Sequence, residues 1–324
     1  MTITRDFKPE MQEKKNVVGR ILQYLSDLKQ NMLKHKLVYL LAVPVVAYYV
    51  VFQYLPMYGA SIAFRDFFPG RGIMGSPWVG FAHFIDFFTG PYFFRVVRNT
   101  LMINILQLIF VFPAPIVLAL MINEIYRLRF KKTVQTIIYM PHFISLIVIC
   151  GMVLDFTARD GLVNDIIYFF GGERTNIMLN PSLFWPVHII SDIWQTAGWG
   201  TIIYLAALAG VDQELYEAAK VDGANRWRQT LNITIPGILP TLVIMLILRL
   251  GTMMHVGFEK IILLYNPLIF ETADVISSYV YRRGLLQFNF SFSAAVGLFN
   301  SAINFTLLVI ANTISRKVNE TSLW

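Results

Sequence analysis

The chain has 324 residues, 56% of them hydrophobic and 15% charged, with a net charge of +7 and a mean hydropathy of +0.56. That balance excludes an ordinary soluble domain, and the single cysteine, Cys150, excludes a disulfide framework or a cysteine-based metal site. The positive charge lies mainly beside apolar segments, where orientation in a bilayer accounts for it better than nucleic acid does.

In chain order, residues 1–36 set Val17, Val18, Ile21, Leu22 and Leu25 among lysines, the pattern of an amphipathic helix at a membrane interface. A crossing helix needs about 20 apolar residues. Six segments qualify: 37–55, 97–122, 133–155, 183–209, 237–258 and 293–314. The first, with the connection after it, forms residues 37–92; the core spans 93–316, and a tail of 317–324 follows. The apolar piece Ile261–Phe270 is too short to span and contains Asn266 and Pro267, so it reads as re-entrant or interfacial. Most of the 27 Lys and Arg fall in residues 1–36, the loops near 123–132 and 210–236, and the tail. The positive-inside rule then places both termini and the 210–236 loop in the cytoplasm.

The third segment carries His142 after Pro141, which reads as a backbone-bonded kink residue rather than a proton relay. The fourth carries Trp185, His188, Asp192, Gln195 and Trp199 at steps of three and four, one helical face. An aspartate at the bilayer centre costs about 2.5–3.5 kcal/mol, so this face belongs against protein or a watery cavity. Arg249 in the fifth segment lies about as deep as Asp192, some 14 Å from the outer end at helical rise. The two either form a buried ion pair or line a pathway with the Trp rings and Gln195. In the sixth segment Ser293, Gly297, Asn300 and Asn304 form a stripe of small and amide residues, suited to helix packing or to substrate contact.

The chain lacks a GxxxxGK[ST] phosphate loop, an HExxH helix and a GxSxG elbow. Energy for transport must come from a gradient or from a partner. Asp192 is the proton site in a gradient-driven alternative, and with His188 it is the only crude candidate for an intramembrane enzyme, with no nucleophile beside it.

Between the fourth and fifth segments runs ELYEAAKVDGANRWRQTLNITIPGILP, residues 214–240. Asp212 can cap a helix over Gln213–Val221, Gly223 suits a tight turn, and a second short helix over Ala224–Leu231 leads to Pro236. From composition alone an amphipathic loop lying on the membrane fits equally well. Glu217, Ala218 and Ala219, three residues, Gly223, nine residues, then Ile233-Thr234-Ile235-Pro236 resemble the EAA motif of binding-protein-dependent ABC importer permeases. Ile235 departs from the motif, standing where it has Leu. Residues 257–288 are similar to the complex-carbohydrate branch of that family, and the likeness spans about 95–316.

The resemblance implies an all-α polytopic fold of the type I importer permease kind, with six transmembrane helices and a cytoplasmic coupling helix in the 212–236 loop. Glu217, Ala218, Ala219 and Gly223 then contact an ATPase. It also implies a bacterial cytoplasmic-membrane location, a second permease subunit forming a heterodimer, two ATPase subunits that hold ATP and Mg, and an extracytoplasmic solute-binding protein. This chain itself carries no cofactor. The implied cargo is an oligosaccharide, including polyuronide fragments such as alginate, along a path drawn through Trp185, Asp192, Gln195, Trp199, Arg249, Asn300 and Asn304. Arg249, Arg282 and Arg283 suit an anionic chain, though the last two equally suit docking of the binding protein or stopping a helix.

Overall fold

A computed structural model describes residues 30–31 and 34–319. The amphipathic arm and the tail fall largely outside the described residues. The chain divides into two units, Met1–Ser61 and Ile62–Trp324. In the first, α1 (Lys36–Tyr49) continues into a π turn at Val50–Tyr54 and a last turn at Leu55–Met57.

The second unit is helical apart from one isolated bridge, Arg65 to Trp78, among the described residues. Its principal helices are α2 (Phe93–Asn123), α3 (Leu128–Tyr139), α4 (Leu146–Thr157), α5 (Pro181–Ala209), α6 (Gln213–Val221), α7 (Arg226–Leu250), α8 (Phe258–Leu264) and α9 (Phe290–Asn319). Four helices, Lys36–Phe64, Phe93–Asn123, Arg226–Leu250 and Phe290–Lys317, are long and apolar enough to cross a membrane. Helix α5 has 29 residues, about 44 Å at 1.5 Å each. Its Trp, His, Asp and Gln residues make it less apolar than those four.

The third predicted segment is not one straight helix. Helices Leu128–Phe143 and Leu146–Phe169 meet at 97°. Pro141 sits in a 3-10 turn, Met140–Phe143, where a missing backbone N–H is tolerated. Ser145 then restarts the chain as an N-cap, its side chain accepting from the Val148 N–H at 3.4 Å. The first arm of this bend packs tightly on α5: a Cβ at Gly198 would lie 1.8 Å from the Ile138 carbonyl oxygen.

The fifth segment also differs from expectation. It ends at Leu250 rather than at 258, and begins at Arg226. The second short helix expected at Ala224–Leu231 is therefore the first turns of α7, joined through a π turn at Thr230–Thr234. One wider turn accommodates Pro236 just beyond it without breaking the helix. Ile261–Phe270 falls across α8 and a 3-10 turn, Pro267–Ile269, with Ile261, Leu264 and Ile269 buried against Ile103, Cys150 and Phe184.

Candidate functional site

Three polar features are built on this frame. At one end, Asp212 accepts from the Glu214 N–H at 2.9 Å and caps α6. The helix stops as the Ala224 N–H donates to the Ala219 carbonyl at 2.8 Å, with Gly223 at φ +71°, a conformation that L side chains resist. Glu217, Ala218 and Gly223 are exposed and Ala219 is half-buried. Val221 and Trp227 are exposed as well, 87% and 70% accessible. The inner face is tied down. Tyr216 Oη lies 2.9 Å from Thr234 Oγ1 on α7, Arg226 pairs with Glu124 at 3.0 Å, and Val211 packs with Ala119, Tyr204, Leu208 and Ile238.

Near the other end of α7 lies a cavity of about 560 Å³, between α2, α5 and α7, lined by Asp192, Trp199, Tyr204, Arg249 and Gln107 among others. That volume is within the range of small-ligand sites, about 300–1,000 Å³. Asp192 and Arg249 do not pair directly. Lys260 Nζ on α8 donates to Asp192 Oδ1 at 2.5 Å, and the His188 ring lies 3.4 Å from Oδ2. Gln107 stands between the two, its Nε2 donating to Asp192 Oδ2 at 2.6 Å while its Oε1 accepts from Arg249 Nη2. Neither Gln107 nor Lys260 was singled out from sequence. The available signal was Lys260 at the head of the short apolar piece, since a charge beside membrane depth demands a partner.

The other path residues scatter. Trp199 lines the cavity, its ring stacked on His142 at 4.7 Å and 3°. Trp185 instead donates its indole N–H to the Thr272 carbonyl at 2.9 Å, and Gln195 is half-buried on α5 away from the cavity lining. Asn304 accepts from the Met254 N–H at 2.8 Å, closing the turn after α7. Asn300 lines a separate cavity of about 260 Å³ with Phe258, Tyr281 and Ser293.

The third feature is a fully buried carboxylate, Asp274. Arg95 reaches it at 2.8 Å, Arg282 at 2.7 Å and the Ser278 hydroxyl at 2.8 Å. The Asn99 amide donates to the Asp274 and Glu271 carbonyls, both at 2.9 Å. Burial works to lower the Arg282 pKa, but the hydrogen bond and charge of Asp274 raise it above its ordinary value. Arg283 pairs with Asp86 at 3.2 Å and lies over the Phe292 ring. Of the three arginines expected to suit an anionic chain, Arg282 and Arg283 are thus engaged within the protein.

Residues 111–320 match the family described as binding-protein-dependent transport system inner membrane component. The chain is 46% identical over 295 residues to the polygalacturonan/rhamnogalacturonan transport system permease protein YteP of Bacillus subtilis (strain 168), covering 91% of this chain and 92% of that one. It is 43% identical over 307 residues to protein LplB of the same organism, covering 94% and 95%. Its structure resembles a chain from a bacterial alginate ABC transporter in complex with an alginate pentasaccharide-bound periplasmic protein. There the TM-score is 0.84 at 40% identity, over 91% of this chain and 99% of that one.

Proposed function

The chain belongs to the family of binding-protein-dependent transport system inner membrane components, a transport permease and not an enzyme, and from that premise we propose that it imports acidic oligosaccharides by ATP-driven alternating access. Two of the similar proteins are named for transport of polygalacturonan and rhamnogalacturonan and of alginate, all rich in uronate. In this reading the chain pairs with a second, non-identical permease, receives cargo from an extracytoplasmic binding protein, and is driven by two ATPases that hold ATP and Mg. Both termini and the 212–236 loop face the cytoplasm, as the basic residues favour.

The observation that carries the mechanism is the continuity of α7 from Arg226 to Leu250. One end begins in the coupling turn and is bonded to α6 through Thr234; the other presents Arg249 to the cavity. Twenty-five helical residues span about 37 Å. A force on the exposed Glu217–Gly223 face therefore moves the cavity wall as a rigid body, where a flexible loop would absorb it. A proton-coupled carrier using Asp192 has no support among the relatives. Lys260 already supplies the charge that balances that carboxylate in the membrane.

The test uses the purified complex in proteoliposomes with its binding protein. Uptake of uronate oligomers requires ATP on the loop side and survives an uncoupler, and cysteine introduced at Glu217 crosslinks to an ATPase subunit. Uptake that needs no ATP and collapses with the uncoupler defeats the proposal.

A further inference from the structure

Two charged groups line the cavity, Asp192 and Arg249. The Asp192 charge is offset outside the lining, by Lys260 at 2.5 Å. Arg249 has no carboxylate partner among the described residues; its guanidinium is held by a neutral amide oxygen, Gln107 Oε1. An unpaired guanidinium at membrane depth is costly, and a carboxylate satisfies its planar fork better than an amide does.

We infer that Arg249 reads the carboxylate of a uronate residue in the cargo, and that Gln107 is the placeholder which that carboxylate displaces. The inference rests on the importer reading and adds which residues within it recognise charge. Gln107 can yield its oxygen while keeping its amide N–H on Asp192, because those two bonds use different atoms. Release of Arg249 therefore leaves the Asp192–Lys260 pair standing. Trp199, across the cavity on α5, has one ring face against His142 and lines the cavity as an apolar surface for a sugar ring. A neutral sugar can hydrogen-bond here, but it leaves the Arg249 charge uncompensated.

The test is calorimetric binding to the solubilised complex without its binding protein, so that this site alone discriminates. The probes are trigalacturonate and its carboxyl-reduced neutral counterpart. The charged trimer should bind at least about tenfold more tightly, the worth of one charge-assisted hydrogen-bonded pair. Arg249→Gln should abolish that preference, and Arg249→Lys should keep part of it. Gln107→Ala should tighten the charged trimer about threefold by removing its competitor, a gain that a purely structural role for Gln107 does not give. An unchanged preference in Arg249→Gln, equal binding of both trimers to the wild type, or equal weakening of both by Gln107→Ala overturns the inference. ATP-driven saccharide uptake without preference for charge overturns it and leaves the importer reading intact, whereas loss of ATP dependence strikes the importer reading itself.

Discussion

Lys260 and Asp192, 68 positions apart in sequence, meet at 2.5 Å with side chains only 7% and 13% accessible. The contact ties α8, too short to span, to the middle of α5. Removing one partner leaves a buried charge alone, at a cost of about 3–5 kcal/mol, whereas neutralising both leaves no unpaired ion at the contact. Lys260→Met should therefore lower the thermal midpoint of the solubilised complex markedly. The double variant Lys260→Met with Asp192→Asn should recover most of that loss. Additive losses in the double variant would mean the two residues do not act as a pair.

Asp274 predicts a local form of the same effect. Its carboxylate accepts from Arg95, Arg282 and Ser278, and among the described residues neither arginine has another ion pair. Asp274→Ala leaves two arginines around an apolar gap, so the loss should reach several kcal/mol. Asp274→Asn keeps the volume and part of the hydrogen bonding, so it should fall between wild type and Ala. Limited proteolysis within residues 265–288 reads the effect directly, because these contacts fasten that segment to α2.

Two glycines separate close packing from open space. At Gly198 a Cβ meets the Ile138 carbonyl oxygen at 1.8 Å, while at Gly297 nothing lies within 4 Å. Gly198→Ala should therefore force α5 away from the bend at Pro141 and cost at least the 1–3 kcal/mol of an overpacked site. Gly297→Ala should be neutral or slightly stabilising, since alanine favours a helix by about 1 kcal/mol over glycine. Thermal midpoints of the two variants in detergent check the contrast.

Much of this arrangement was legible because its signals are local. Asp212, the apolar spacing and Gly223 define α6 over Gln213–Val221 in sequence and in structure alike. The bend in the third segment had local signals too, Pro141 and Ser145, but a continuous apolar run masks a break whose halves are both helical. Depth along a helix brought Asp192 and Arg249 to one cavity, yet depth says nothing of rotation or of what lies between. Gln107 came from α2 and Lys260 from α8, so only the packing of four segments decided the partners. Trp185 shares a helical stripe with Trp199 but turns to the Thr272 carbonyl, since a stripe this wide contacts different neighbours at its two ends.

Tyr216 Oη and Thr234 Oγ1 form, at 2.9 Å, a side-chain hydrogen bond from α6 to α7. Tyr216→Phe keeps the ring in its apolar setting and deletes that bond, which is worth about 1 kcal/mol. Fold and ATPase attachment should survive so small a loss. If α6 moves α7 through this contact, the variant should still hydrolyse ATP, but with fewer saccharides imported per ATP. Gly223 supplies the comparison. Gly223→Val places a β-branched residue at φ +71° and costs about 1–2 kcal/mol or more, distorting the turn itself, whereas Gly223→Asn tolerates that conformation. Uptake should fall strongly in the valine variant and little in the asparagine one. The informative number is the ratio of transport to hydrolysis, measured together in proteoliposomes. A ratio unchanged in Tyr216→Phe assigns transmission to the backbone turn and to the packing of Val211 instead.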